Sequence, residues 1–103
     1  MKNYHKKKEG GYKAGYFFTL PNEVFEQGFT VYELVVYAFL VRAKDKVSDQ
    51  SYWSVKNIAR HCNMCENTCR KALHSLEEQG FISISKRFRD RVQQSNLYTV
   101  YEI

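Results

Sequence analysis

Cysteine and histidine, the side chains that most often hold zinc, are concentrated in one short stretch of the chain. Residues 61–74 read HCNMCENTCRKALH and contain three cysteines and two histidines. Cys62 and Cys65 have the C-x2-C spacing of a zinc knuckle, and Cys69 follows four residues later. The same letters also fit the end of one helix, a tight turn and the start of another helix. The first interpretation predicts a metal centre, and the second predicts two helices packed together.

The spacing of the remaining ligands argues against zinc. A zinc site needs four ligands that converge tetrahedrally, and paired knuckles usually supply them. The sequence contains no second knuckle. On a helix, His74 would point well away from Cys69 because five residues turn through about 500°. His61 is the direct neighbour of Cys62 and lies about 100° from it. We therefore predict no metal site and no cofactor.

Helix packing accounts for two of the three cysteines. Cys62 ends one apolar stripe and Cys69 begins the next, where cysteine acts as a small hydrophobic residue. Cys65 stands at the N-cap position of the second helix, where we expect partial exposure and a lowered thiol pKa. A redox-sensitive Cys65 therefore stays an alternative. An odd number of cysteines without an export signal predicts reduced thiols.

The sequence around these cysteines predicts a helix-turn-helix. Ser54 is the expected N-cap of a short helix with apolar residues at helical spacing. Asn63 fits the turn because asparagine tolerates the left-handed conformation. The next helix has an inward stripe and ends at Gly80, a natural terminator. The inward residues are Val55, Ile58, Ala59 and Cys62 in the first helix and Cys69, Ala72, Leu73 and Leu76 in the second.

An earlier helix begins at Thr30, which forms a capping-box pattern with Glu33. Its expected buried stripe is Val31, Leu34, Val35, Ala38 and Phe39. The opposite side is also apolar, so this helix must be covered nearly all round. Two alternatives would supply the cover. One is the segment of residues 16–25, predicted as an extended segment and a helical turn, and the other is a second copy of the chain.

The elements follow one another in the order of a winged helix-turn-helix. A short strand at Tyr52 and Trp53 precedes the helix pair, and FISIS and LYTVY are two further strands around the basic loop of residues 86–96. We predict an α+β fold, a small winged helix-turn-helix with a three-helix core and a β-hairpin wing. Residues 1–15 are predicted as a flexible basic N-terminal arm, and residues 16–103 as the winged domain.

The positive charge is concentrated in two segments. The net charge is +5, with five lysines against Glu9 in residues 1–15 and four basic residues against Asp90 in residues 86–91. Such segments suit a phosphate backbone. The sequence shows no nucleophile–base pair, carboxylate pair or phosphate-binding glycine loop, so we predict neither an enzyme nor catalytic residues. It also lacks a signal peptide and a membrane span, which predicts a soluble, cytoplasmic protein without membrane contact.

The outward side of the second helix of the pair carries side chains that can read base edges. On this recognition helix the predicted DNA-binding residues are Glu66, Asn67, Thr68, Arg70, Lys71 and His74. For the phosphate backbone and the wing, the predicted residues are Ser54, Lys56, Asn57, Lys86, Arg87, Arg89 and Arg91. Phe88 is expected to pack the wing rather than to act as a wedge between bases.

The stretch SYWSVKNIARHCNMCENTCRKALHSLEEQGFISI resembles the winged helix-turn-helix modules of bacterial regulators and replication proteins. The upstream FFTLPNEVFEQGFTVYELVVYAFLVR resembles the N-terminal domain of replication initiators of plasmids and other mobile elements. The resemblance implies sequence-specific binding of double-stranded DNA, in transcription regulation or as a replication or transfer accessory factor. The alternative is a protein–protein interaction module, a homodimer included, that uses the first helix and the N-terminal segment.

Overall fold

The computed structural model describes residues 17–103, which form three α-helices, a short 3-10 helix and two antiparallel sheets. A 3-10 helix (Asn22–Glu26) precedes α1 (Val31–Ala43), and β1 (Gln50–Trp53) leads to α2 (Val55–His61) and α3 (Glu66–Glu78). The remaining strands are β2 (Ile82–Ser85), β3 (Phe88–Arg89), β4 (Val92–Gln93) and β5 (Asn96–Val100). The predicted α+β winged helix-turn-helix fold is confirmed. The predicted basic arm, residues 1–15, lies outside the described residues.

The helix-turn-helix forms as its local signals predict. The Ser54 hydroxyl accepts the Asn57 N–H at 3.1 Å and so caps α2. Asn63 makes the turn in the left-handed region, with a φ of 57°. At the end of α3, Gly80 has a φ of 86°, and the Phe81 N–H bonds to the Leu76 carbonyl. This is a Schellman motif, which ends the helix and turns the chain toward β2.

The core lies between the three helices and one face of the sheet. Ile58 of α2, Leu73 and Leu76 of α3 and Tyr98 of β5 are buried in it. Cys69 is buried as well, and Cys62 is half-buried against the same core. The prediction that these two cysteines pack between the helices is confirmed.

For α1 the prediction was partly wrong. The capping box is present: the Glu33 N–H donates to the Thr30 hydroxyl at 3.1 Å, and the Thr30 N–H donates to the Glu33 carboxylate at 2.8 Å. The buried side, however, is formed by Glu33, Val36, Tyr37, Phe39 and Leu40. Of the predicted stripe only Phe39 is fully buried, while Val31 is 72% and Val35 38% exposed. Because both sides of α1 are apolar, residue spacing alone does not determine which side faces the core.

The segment before α1 is extended and then helical, as predicted, but it leaves part of α1 uncovered. Val24 in the 3-10 helix is buried, whereas Phe25 is 75% exposed. Val31 and Tyr32 are also exposed, so residues 17–25 do not cover this side of α1.

The main sheet has the strand order β1-β5-β2, with Tyr52 opposite Leu97 and Ile84 opposite Tyr98. Side chains alternate between its two faces. Tyr98 points toward the helices, so Tyr52 and Leu97 lie on the outer face.

The loop of residues 86–96 is more ordered than predicted. It contains a second, two-stranded ribbon in which Phe88 pairs with Gln93 and Arg89 with Val92. At its tip Asp90 and Arg91 have φ angles of 51° and 67°. Two successive positive φ angles are typical of a type I′ hairpin turn. The sequence did not indicate this turn because neither residue is glycine or asparagine.

Candidate nucleic-acid interface

The outward side of α3 presents most of the predicted base-reading residues to solvent. Because Cys69, Ala72, Leu73 and Leu76 are buried, the residues between them on the helix face outward. Glu66, Asn67, Arg70, Lys71 and His74 are all exposed. The structure thus brings these five side chains to one surface, and their contact with DNA stays a prediction.

One ion pair and one histidine–carboxylate contact connect neighbouring turns of this surface. Arg70 lies 3.1 Å from the carboxylate of Glu66, and its guanidinium also donates to the Asn67 side chain at 3.4 Å. His74 lies 3.3 Å from Glu78. Within residues 17–103, Lys71 has neither an ion pair nor a side-chain hydrogen bond. Exposed pairs of this kind contribute about 0–1 kcal/mol, so a phosphate or base can displace them.

Thr68, also a predicted contact, is half-buried and faces the start of the helix. Its hydroxyl shares a hydrogen bond of 3.1 Å with the thiol of Cys65, and Cys65 makes no capping hydrogen bond through its side chain. The hydrogen bond with the Thr68 hydroxyl lowers the pKa of the exposed Cys65 thiol, and the partial positive charge of the backbone N–H groups at the start of α3 acts in the same direction. Burial instead raises the pKa of Cys62, and that of Cys69 to about 11.

A groove of about 850 Å³ separates α3 from the wing. Two of the predicted backbone residues, Ser54 and Lys56, line it, but Asn57 does not. Arg70 and His74 form the α3 side, and Lys86 lies on the wing side. Glu77 also lines the groove, and its carboxylate accepts the backbone N–H of Ile84 at 3.1 Å. That bond fixes the end of α3 to strand β2.

The four basic residues of the wing do not form one cluster. Lys86 faces the groove, whereas the Arg87 guanidinium lies 4.4 Å from the centre of the Tyr52 ring. Arg89 and Arg91 are exposed near the tip of the hairpin. Phe88 is 64% exposed, so the expectation that it packs the wing was wrong. The two-stranded ribbon is too thin to bury it.

Sequence reasoning missed four residues that shape this surface. Gln93, Gln94 and Ser95 line the groove, whereas the sequence places them in a basic loop with no signal for such a contact. Tyr52 was identified only as part of a strand. The residue types give no usable signal for it, because the polar Ser51 is the side chain that points inward and the aromatic Tyr52 the one that points outward.

The histidine–cysteine stretch shows no convergent geometry. Among residues 17–103, no group of three or more His, Cys, Asp or Glu side chains is placed to hold a metal ion. His61 packs against two aromatic rings, with ring-centre distances of 5.4 Å to Phe39 and 5.5 Å to Trp53.

Two helices joined by a tight turn, within a three-helix core that is followed by a β-hairpin, define the winged helix-turn-helix class. A family model described as a helix-turn-helix domain matches residues 28–82, just over half of the chain. The chain therefore belongs to the helix-turn-helix domain family, and this membership indicates DNA binding. The matched segment ends at the start of β2, before the wing. Neither a curated protein nor a solved structure matches the chain. None of the helices among residues 17–103 combines the length and the hydrophobicity of a membrane span.

Proposed function

We propose that the protein binds double-stranded DNA in a sequence-specific manner, with α3 in the major groove and the wing on the flanking backbone. The main support for this proposal is the exposed face of α3, which presents Asn67, Arg70 and Lys71 while the other side of the helix is buried in the core. Arginine and lysine suit guanine and asparagine suits adenine in the major groove.

The charge and shape of the wing side support the same orientation. The groove beside α3 carries Lys56, Arg70 and Lys86 against Glu66 and Glu77, so a DNA strand lying in it would meet a small excess of positive charge. At the tip, Arg91 occupies a positive-φ position that usually takes glycine or asparagine. A charged side chain held in an unfavourable conformation is consistent with a functional contact at that point.

The biological role that we propose rests on the resemblance to regulators and replication initiators. The protein would act in the bacterial cytoplasm as a transcription regulator or as a replication or transfer accessory factor of a mobile element. Selection of bound duplexes from a random DNA pool identifies the target, and a palindromic consensus would indicate a dimer.

Removing the two basic side chains of α3 tests the groove assignment. In a mobility-shift titration with the selected duplex, the double variant Arg70→Ala/Lys71→Ala should lose at least about tenfold in affinity, since each good base contact contributes about 1–3 kcal/mol. The double variant Arg42→Ala/Lys46→Ala is the matched control, because it removes two exposed charges from α1 and the loop after it. Equal affinities of the two double variants, both folded, would refute the assignment.

A second candidate function is self-association through α1, which the exposed apolar Phe25, Val31, Tyr32 and Val35 favour. Sedimentation equilibrium of the wild type and of Val31→Glu distinguishes this case. A concentration-dependent dimer that the substitution dissociates supports it, and a wild-type monomer at all accessible concentrations rules it out.

A further inference from the structure

We propose that Tyr52 is a positioning residue for the wing: its ring holds Arg87, so that Arg87 anchors the hairpin instead of binding phosphate. The inference rests on the proposed DNA binding, because it assigns separate tasks to the wing arginines. It starts from one contact, the Arg87 guanidinium 4.4 Å from the centre of the Tyr52 ring.

The contact joins the wing to the opposite edge of the sheet. Arg87 follows β2, and Tyr52 belongs to β1, with β5 between the two strands. Tyr52 lies on the outer face, the side away from the helices, since its neighbours Ser51 and Trp53 point inward. Arg87 is accordingly absent from the lining of the groove between α3 and the wing, although its neighbour Lys86 is part of it.

Arg87 also closes the base of the hairpin. Its guanidinium donates to the Ser95 carbonyl at 3.0 Å, and its own carbonyl accepts the Gln94 N–H at 2.7 Å. One side chain therefore connects the outgoing strand, the returning strand and the β1 edge. On the groove side a different contact holds the base of the hairpin: the Gln93 side chain donates a hydrogen bond to the buried Asn96 side chain at 3.0 Å.

The outer part of the wing has little else to orient it. β3 and β4 have two residues each, and both Phe88 and Val92 are exposed. A two-stranded hairpin without a buried face is marginally stable in water. The direction in which Arg89 and Arg91 point therefore depends on the base of the hairpin. On the outer face of the sheet, Tyr52 fixes that part of the hairpin.

Four variants test this assignment: Tyr52→Ala, Tyr52→Phe, Arg87→Ala and the double variant Tyr52→Ala/Arg87→Ala. In the free protein, backbone hydrogen exchange of residues 88–94 should become faster in Tyr52→Ala and Arg87→Ala. Tyr52→Phe keeps the ring and should behave as the wild type. Wild-type rates in Tyr52→Ala, or loss of protection in Tyr52→Phe, would overturn the proposal.

The DNA measurement uses the selected duplex over a range of salt concentrations, with Arg89→Ala as the matched control. Tyr52→Ala and Arg87→Ala should each weaken binding about two- to five-fold, and the double variant no more than either. The slope of log affinity against log salt should stay unchanged, whereas Arg89→Ala lowers it by about 0.9.

If Arg87→Ala lowers the salt slope as Arg89→Ala does, Arg87 binds phosphate directly and the proposal is wrong. If the wild type binds no DNA at all, the proposed function fails, while the exchange rates still decide whether Tyr52 anchors the wing. The two failures are therefore distinguishable.

Discussion

α1 and α3 each have 13 residues and contribute to the same core, yet their exposed sides differ completely. α3 separates its residues into an apolar side and a charged side, and the charged side faces solvent. α1 has apolar residues all round and leaves Val31 and Tyr32 exposed. The sequence of an amphipathic helix such as α3 indicates which side is buried. In α1, by contrast, contacts with the rest of the fold determine the buried side.

A buried charged residue links α1 to α3. Glu33 is 8% exposed and accepts a hydrogen bond from the Ser75 hydroxyl of α3, and Gln79 donates to it at 3.5 Å. The same carboxylate completes the capping box with Thr30. Glu33 therefore both caps the start of α1 and connects it to α3.

The largest expected difference between the two sides of α1 concerns stability. Leu40→Ala, like Leu76→Ala in α3, should lower the free energy of unfolding by about 2–5 kcal/mol, because both side chains are fully buried. Val31→Ala should change it by no more than about 0.5 kcal/mol, since Val31 lies on the exposed side. Urea unfolding of the three variants measures this. A loss in Val31→Ala comparable to that in Leu40→Ala would show that a partner or another segment covers the exposed side.

The next effect depends on pH through Glu33. Burial alone would raise its pKa, but the hydrogen bonds from Ser75, Thr30 and Gln79 outweigh it and hold the pKa below the ordinary 4.5. Glu33 therefore stabilises the fold above pH 4.5, and this contribution is lost as the pH falls through the lower pKa of the folded state.

Glu33→Gln should cost about 1–3 kcal/mol at neutral pH, because partners of the carboxylate are left without an acceptor. The variant should also lose less stability than the wild type on acidification. Thermal unfolding between neutral pH and about pH 3 tests both statements. Parallel curves for the two proteins across this range would show that the Glu33 pKa is not lowered. Glu26→Gln is a suitable control, since that carboxylate is exposed and makes no ion pair among residues 17–103.

The sequence predicts the features that depend on local residues, as in α3, and misses those that depend on distant contacts, as in α1. The exposed residues of α3, the caps at Thr30 and Ser54 and the terminator Gly80 were predicted, because each depends on neighbours within a few residues. The buried side of α1 and the contact of Arg87 with Tyr52 were not, since both join parts of the chain that only the folded sheet and core bring together. The hairpin turn at Asp90 and Arg91 was missed because arginine is unusual at the second central position of that turn.

The smallest expected effect concerns the two helix starts. Ser54 caps α2 through its hydroxyl, whereas the Cys65 thiol turns to Thr68 and leaves α3 without a side-chain cap. Cys65→Ser should therefore raise the free energy of unfolding by about 0.5–1 kcal/mol, and Ser54→Ala should lower it by about 1 kcal/mol. Calorimetric melting of both variants provides the measurement. A loss of stability in Cys65→Ser would show that the bond between the thiol and Thr68 contributes more than a regular cap.

If Cys65 is also a redox-sensitive site, Cys65→Ser should abolish any effect of oxidant on DNA binding, and a wild type that is insensitive to oxidant rules out that alternative.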